Sequence, residues 1–113
     1  MSDRSTEEKT LLSSTAVTAS TQTASMFVGS YTESCIFLDV TAVTGTAPRL
    51  IAQVQISHDD TDWFDVAGAV LNIFTDENYL LRVKNTAKFI RLNLTVSGTS
   101  PSFTMEIIAQ AKN

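Results

Sequence analysis

The sequence predicts an all-β fold: a single antiparallel β-sandwich, jelly-roll or Ig-like, of about 8 strands, carrying an extended N-terminal arm. Three observations lead there. Apolar residues recur at every second position over several stretches, the period of a strand with one buried face. Thr, Val, Ile and Phe are frequent in those stretches, as pleated surfaces prefer. Finally, the turn in "VTGTAPRLIAQV" (Val43 to Val54) returns in "VSGTSPSFTMEI" (Val96 to Ile107).

Each element can be read in order. Up to about residue 25 the chain is rich in Ser, Thr and Ala, with Leu11, Leu12 and Val17 as its few apolar anchors. Residues 1–25 therefore read as an arm that orders against another chain, and residues 26–113 as the sandwich domain. Within the arm, "TEEKTLLSS" also permits a short helical turn capped by Thr6. From Met26 onward the period is two. Ile36, Leu38, Val40 and Ala42 share a face, and so do Leu50, Ala52, Val54 and Ile56. Ile90, Leu92, Leu94 and Val96 form a third set, with Phe103, Met105, Ile107 and Ala109 a fourth. Shorter strand candidates are "MFVGSY", "WFDVAG", "VLNIFT" and "YLLRVKN". The two Gly-Thr-x-Pro turns read as equivalent hairpins, since Gly permits positive φ and Pro ends ladder pairing.

Composition narrows the function. A chain of 113 residues can bury one core without metals or disulfides. A net charge of −4 with scattered Lys and Arg argues against a nucleic-acid surface. No apolar run approaches the length of a membrane helix, and the polar N-terminus lacks the apolar segment of a signal peptide. The single cysteine, Cys35, lies in an apolar run and reads as a buried core thiol compatible with a reducing cytoplasm.

Three candidate sites each have a plainer explanation. In "SHDDTDWFD", Asp59, Asp60, Asp62 and Asp65 offer oxygens for calcium, but the stretch lacks the Gly and closing acid of a calcium loop. A turn, where Asp bonds local backbone, accounts for it. His58 has no nucleophile at a recognised spacing. Trp63, Phe64 and Tyr79 suggest sugar stacking; because neighbours on a strand face opposite ways, one of Trp63 and Phe64 is expected in the core and the other at a protein contact. Val70, Leu71, Ile73 and Phe74 break alternation, which suggests a strand covered on both faces by an oligomer. The sequence thus assigns no catalytic, cofactor-binding or metal-ligating residue, needs no cofactor, and points away from an enzyme.

The segment "LDVTAVTGTAPRLIAQVQISHDDTDWFDVAG" resembles small structural proteins of tailed bacteriophages. The matching residues are Val40 to Gly45, Pro48, Leu50, Val54, Ile56, Asp59, Asp60, Trp63, Phe64 and Asp65, and the likeness runs from about Ser34 to Ala111. This resemblance implies a capsid decoration (cement) protein on the virion exterior, made in the host cytoplasm. Its partners would be the major capsid protein or other virion proteins, and it would form a homo-oligomer such as a trimer. The alternatives are a neck, tail or head-fibre protein, or a carbohydrate-binding module with Trp63 and Tyr79 on one face.

Overall fold

The computed structural model describes residues 6–113. Seven strands account for most of them: β1 (Thr6–Val17), β2 (Thr21–Gln22), β3 (Met26–Phe27), β4 (Glu33–Ser57), β5 (Phe64–Ile73), β6 (Asn78–Lys84) and β7 (Phe89–Lys112). All pairings are antiparallel. The all-β antiparallel expectation holds, but the strands belong to one open sheet and not to two separate ones. The helical turn expected as an alternative at "TEEKTLLSS" does not form, because this segment lies in register along β7, from Thr6 opposite Lys112 to Val17 opposite Phe103. The sequence-defined arm therefore contributes β1 and β2, and its residues 1–5 lie outside the described residues.

Two strands organise the molecule. β4 and β7 pair along nearly their whole lengths, from Glu33 opposite Lys112 to Ser57 opposite Phe89. A straight strand as long as β4 would span about 80 Å, yet the longest dimension of the molecule is 50 Å. The pair must bend, and the repeated turn is where it does so. Gly45 and Gly98 both have φ of 116°, and Ala47 and Ser100 both have φ of 49°. Each motif packs on the other. A Cβ on Gly45 would lie 2.7 Å from the Ser100 carbonyl oxygen, and one on Gly98 would lie 2.7 Å from that of Ala47. The motifs are therefore not hairpins joining neighbours in sequence. They are two halves of one corner, meeting back to back around the Thr46–Thr99 pair.

The corner divides the sheet into two leaves. In the first, the order is β1, β7 (102–112), β4 (33–44) and β6; in the second, β4 (49–57) lies between β7 (89–97) and β5, with β2 and β3 on the outer side of β7. The leaves fold over a shared core. Ile36, Leu38, Met105 and Ile107 from one leaf join Leu50, Val54, Leu92 and Leu94 from the other in a single buried cluster. The 22 Å smallest dimension accommodates two sheet layers about 10 Å apart. The fold-over is tied at the side where the Ala24 amide donates to the Leu11 carbonyl, 3.1 Å.

Two sequence expectations about burial are corrected. Cys35 is not a core thiol: it alternates with buried Ser34 and Ile36, so it sits half-buried on the outside of the first leaf. The stretch Val70 to Phe74, the end of β5 and the residue after it, is not covered on both faces either. Ile73 is buried, whereas Val70 and Phe74 are exposed.

Candidate assembly surfaces

The outer faces of the two leaves carry opposite chemistry. On the second leaf, side chains across neighbouring strands are tied to one another. Asp65, Gln55 and Arg91 form a row over β5, β4 and β7. Arg91 Nε donates to Gln55 Oε1 at 2.9 Å, and Gln55 Nε2 donates to Asp65 Oδ1 at 2.9 Å. The Arg91 guanidinium lies 4.2 Å from the centre of the Trp63 ring, a cation–π contact. Elsewhere on this leaf Gln22 donates to Asn93, and Arg49 donates to Asn72 while reaching over Phe74. Gln53 has a further task. Between Gln53 and Gln55 the β5 strand bulges out, with Gly68 at a φ of 81°. Gln53 Nε2 donates to the Val66 and Ala69 carbonyls at 2.8 and 3.2 Å, satisfying backbone acceptors the ladder leaves unpaired.

The first leaf shows nothing comparable around its apolar centre. Register places Leu80, Phe37 and Ile108 side by side on β6, β4 and β7, pointing away from the core. Phe37 remains 44% exposed and Leu80 46%. One row toward one end stand Arg82, Cys35 and Gln110, then Lys84, Glu33 and Lys112. One row toward the other end stand Asn78, Asp39 and Glu106. Lys112 pairs with Glu33 at 3.4 Å; among the described residues Arg82, Lys84, Asp39 and Glu106 have no ion pair.

This leaf also has two open edges. Among the described residues β1 pairs only with β7, and of its twelve residues only Leu11 and Val17 are buried. Among the described residues β6 pairs only with β4, and an open groove of about 400 Å³ runs between it and the β5 bulge. Val66, Gly68 and Ala69 form one wall of the groove, and Leu81 and Val83 the other.

The residues singled out in the sequence find structural explanations. Ser57 and Asp59 build a tight turn: Ser57 Oγ accepts from the Asp60 amide at 2.8 Å, and Asp59 Oδ1 accepts from the Thr61 and Asp62 amides at 3.0 and 2.9 Å. Those backbone donors, Asp62 first, hold the Asp59 carboxyl below its ordinary value near 3.8. His58, Asp59 and Asp62 do gather ligand-type atoms within 4.8 Å of one another, but all three are exposed and Asp59 is engaged by the turn. Asp60 adopts the left-handed φ of 63° at its centre. Neither Trp63 nor Phe64 enters the core: Trp63 is half-buried beneath Arg91, and Phe64 is 57% exposed beside His58. Trp63 and Tyr79 do not share a face, since Tyr79 pairs with buried Leu38 on the first leaf and donates its hydroxyl to the Thr75 carbonyl. The expected sugar platform is absent for that reason.

No family model and no curated protein matches this chain. Among solved structures, one from Bacillus endospore appendages, described as forming a novel family of disulfide-linked pili, is similar over 96% of this chain and 84% of that one. The identity is 17% and the TM-score 0.47, which assigns no role. The phage resemblance is corrected accordingly. The similar structure comes from spore appendages and not from a virion, and no phage family model covers the Gly-Thr-x-Pro segment. The structure also supplies the physical reason: the repeated turn is a corner of the sheet and the Asp-rich stretch a capped loop, features any bent sheet can use. The capsid decoration function, the capsid-protein partner and the virion location do not hold, and the neck, tail and fibre readings that rested on the same motif go with them.

Proposed function

We propose that this protein is a non-enzymatic structural subunit that assembles with copies of itself, edge to edge, into extended antiparallel sheet. The observation that carries the reading is the strand count of the first leaf. With four antiparallel strands, β1 and β6 run in opposite directions. A second copy in the same orientation therefore presents its β1 antiparallel to the β6 of the first, and the ladder continues without reversing any subunit. Two different edges joined head to tail give an open chain and not a closed dimer. In register, Glu8 of the incoming β1 lies on the row of Arg82, so opposite charges meet where strands add. The groove beside β6 leaves room for the added strand's inward side chains.

In this reading residues 1–25 are the connecting arm, and 26–113 the sandwich-like body made by the folded-over leaves. Cys35, the single cysteine of this sequence, can bond only one partner thiol. Continuity from copy to copy therefore comes from backbone hydrogen bonds.

Electron microscopy and sedimentation of the full chain test this. Elongated assemblies should grow with concentration, and a synthetic peptide of residues 6–17 should shorten them by capping β6, while its scrambled version should not. A monomer at every attainable concentration, or assemblies indifferent to the peptide, would overturn the proposal.

A further inference from the structure

We infer that the edge contact is double: the copy that lays its β1 along β6 also lays its β2 and β3 along β5, so that both leaves run on from subunit to subunit. This rests on the edge assembly proposed above and adds a second seam to it.

The edges on each side of the molecule travel together. On one side β1 is tied to the β2–β3 edge, since the Ala24 amide donates to the Leu11 carbonyl and Lys9 Nζ to the Ser25 carbonyl. On the other side stand β6 and β5, flanking the open groove. A β1 that approaches β6 therefore brings its β2 and β3 toward β5. Strand count lets both edges close at once. Each leaf is four strands wide, β1–β7–β4–β6 in the first and β2/β3–β7–β4–β5 in the second. One displacement of about 19 Å, four strand spacings, thus suits both. Directions agree too: β2 and β3 run antiparallel to β7, whereas β7 and β5 both run antiparallel to β4.

Backbone groups at the two edges are in phase. The Thr23 amide donates to the Leu92 carbonyl, and the Leu92 amide donates to Thr23 Oγ1. Alternation then turns the backbone of Gln22 outward and that of Asn93 toward Gln53. Val70, opposite Gln53, is left facing outward from β5. Gln22, Asn93, Gln53 and Val70 form one row, so Gln22 of the added copy arrives opposite Val70 as a hydrogen-bonding pair.

An edge bulge ordinarily blocks strand addition. Here the β5 bulge lies at the level of Val54, and that row runs through Leu92 to Thr23. At this level β2 has ended and β3 has not begun, and Ala24 turns to Leu11. The bulge of one copy therefore faces the interruption in the edge of the next. Apolar exposure marks the same two edges. Phe64, Val70 and Phe74 are exposed along β5 and just after it, and Phe27 is exposed on β3. Register carries Met26 of the added copy to Phe64.

Cross-linking tests the second seam. In a Cys35→Ser background, Gln22→Cys with Val70→Cys should give a ladder of covalent oligomers under mild oxidation. Within one copy β7 and β4 separate the two positions. Across the seam they would face each other at about 5.5 Å, within disulfide range. Glu8→Cys with Arg82→Cys, in the same background, reads the first seam. All four positions are exposed, and circular dichroism checks that each variant is folded. The unsubstituted chain provides a second measurement. Acrylamide quenching of Trp63, the one tryptophan, should fall as assemblies grow, because it adjoins Phe64 at the start of β5. Ladders from both pairs, with Trp63 protected in the assembly, are the expected result. A ladder from the Glu8 and Arg82 pair alone, with Trp63 quenched equally in dilute and assembled protein, would overturn the second seam and leave edge assembly standing. No ladder from either pair would overturn both.

Discussion

The two leaves share one core and one corner, yet their outer faces solve the same problem differently. On the second leaf, long polar side chains bridge the strands: Gln53 holds the bulge, and Arg91 lies between Gln55 and the Trp63 ring. That face is satisfied as it stands. On the first leaf, Leu80 and Phe37 are exposed beside half-buried Ile108, and among the described residues Arg82, Lys84, Asp39 and Glu106 have no ion pair. The contrast teaches where stability and association reside. Polar groups used internally contribute to folding, whereas apolar and unpaired groups left outside contribute only once something covers them.

The largest expected effect comes from the corner that makes two leaves at all. Gly98→Ala forces a side chain into a left-handed conformation and against the Ala47 carbonyl. We expect a loss of about 3 kcal/mol in urea unfolding, and the same loss for Gly45→Ala, because the two halves of the corner are equivalent. Unequal effects would break that equivalence.

A pair of substitutions sharpens the contrast between faces. Gln53→Leu removes the donors that serve the β5 bulge and should cost about 1–2 kcal/mol. Phe37→Ser, in dilute solution, should change stability by no more than about 0.5 kcal/mol. Equal losses in chemical denaturation would mean that the outer face of the first leaf is already engaged within the monomer.

The smallest effect belongs to the loop beside Trp63. Because the folded state holds the Asp59 carboxyl below its unfolded value, its contribution is complete above that unfolded value and disappears as pH falls through the depressed one. Between neutral pH and about 5 the turn should therefore be unchanged. An NMR titration should place the Asp59 midpoint below 3.8, with the Thr61 and Asp62 amides moving at the same midpoint. A midpoint at or above 3.8 would sink this account of the turn.

Alternation made the inner faces legible. Ile36, Leu38, Val40, Leu50, Ala52, Val54, Ile90, Leu92, Leu94, Phe103, Met105, Ile107 and Ala109 are all buried as their spacing predicts. Ala42 is exposed, beyond the register shift that follows Val40, and Ile56 and Val96 are only half-buried, Val96 packing against the core beside the corner. What the sequence obscured was pairing at long range. A Gly-Thr-x-Pro stretch reads locally as a hairpin, and nothing within it states that its partner is the other copy more than fifty residues away. The outer faces were harder still. Phe37, Leu80 and Ile108 come from three strands, and only the register makes them neighbours. Neither Trp63 nor Phe64 takes the core place expected for one of them, because the burial of Trp63 comes from Arg91 on β7 and not from the core.

The central position of β7 also governs the order in which this chain can fold. β1, β2, β3 and β4 all pair with β7, so none of the strands made first meets its main partner until the last strand has been synthesised. Closing Glu33 onto Lys112 spans most of the sequence, and such non-local closure is slow. On the ribosome β1, β2 and β3 must therefore wait unpaired, while β4 can pair only with β5 and β6. A chain released without the closing stretch from Ser102 to Lys112 would lack the partner of β1 and one of the two flanks of the first half of β4, leaving its first leaf only the ladder of β4 with β6.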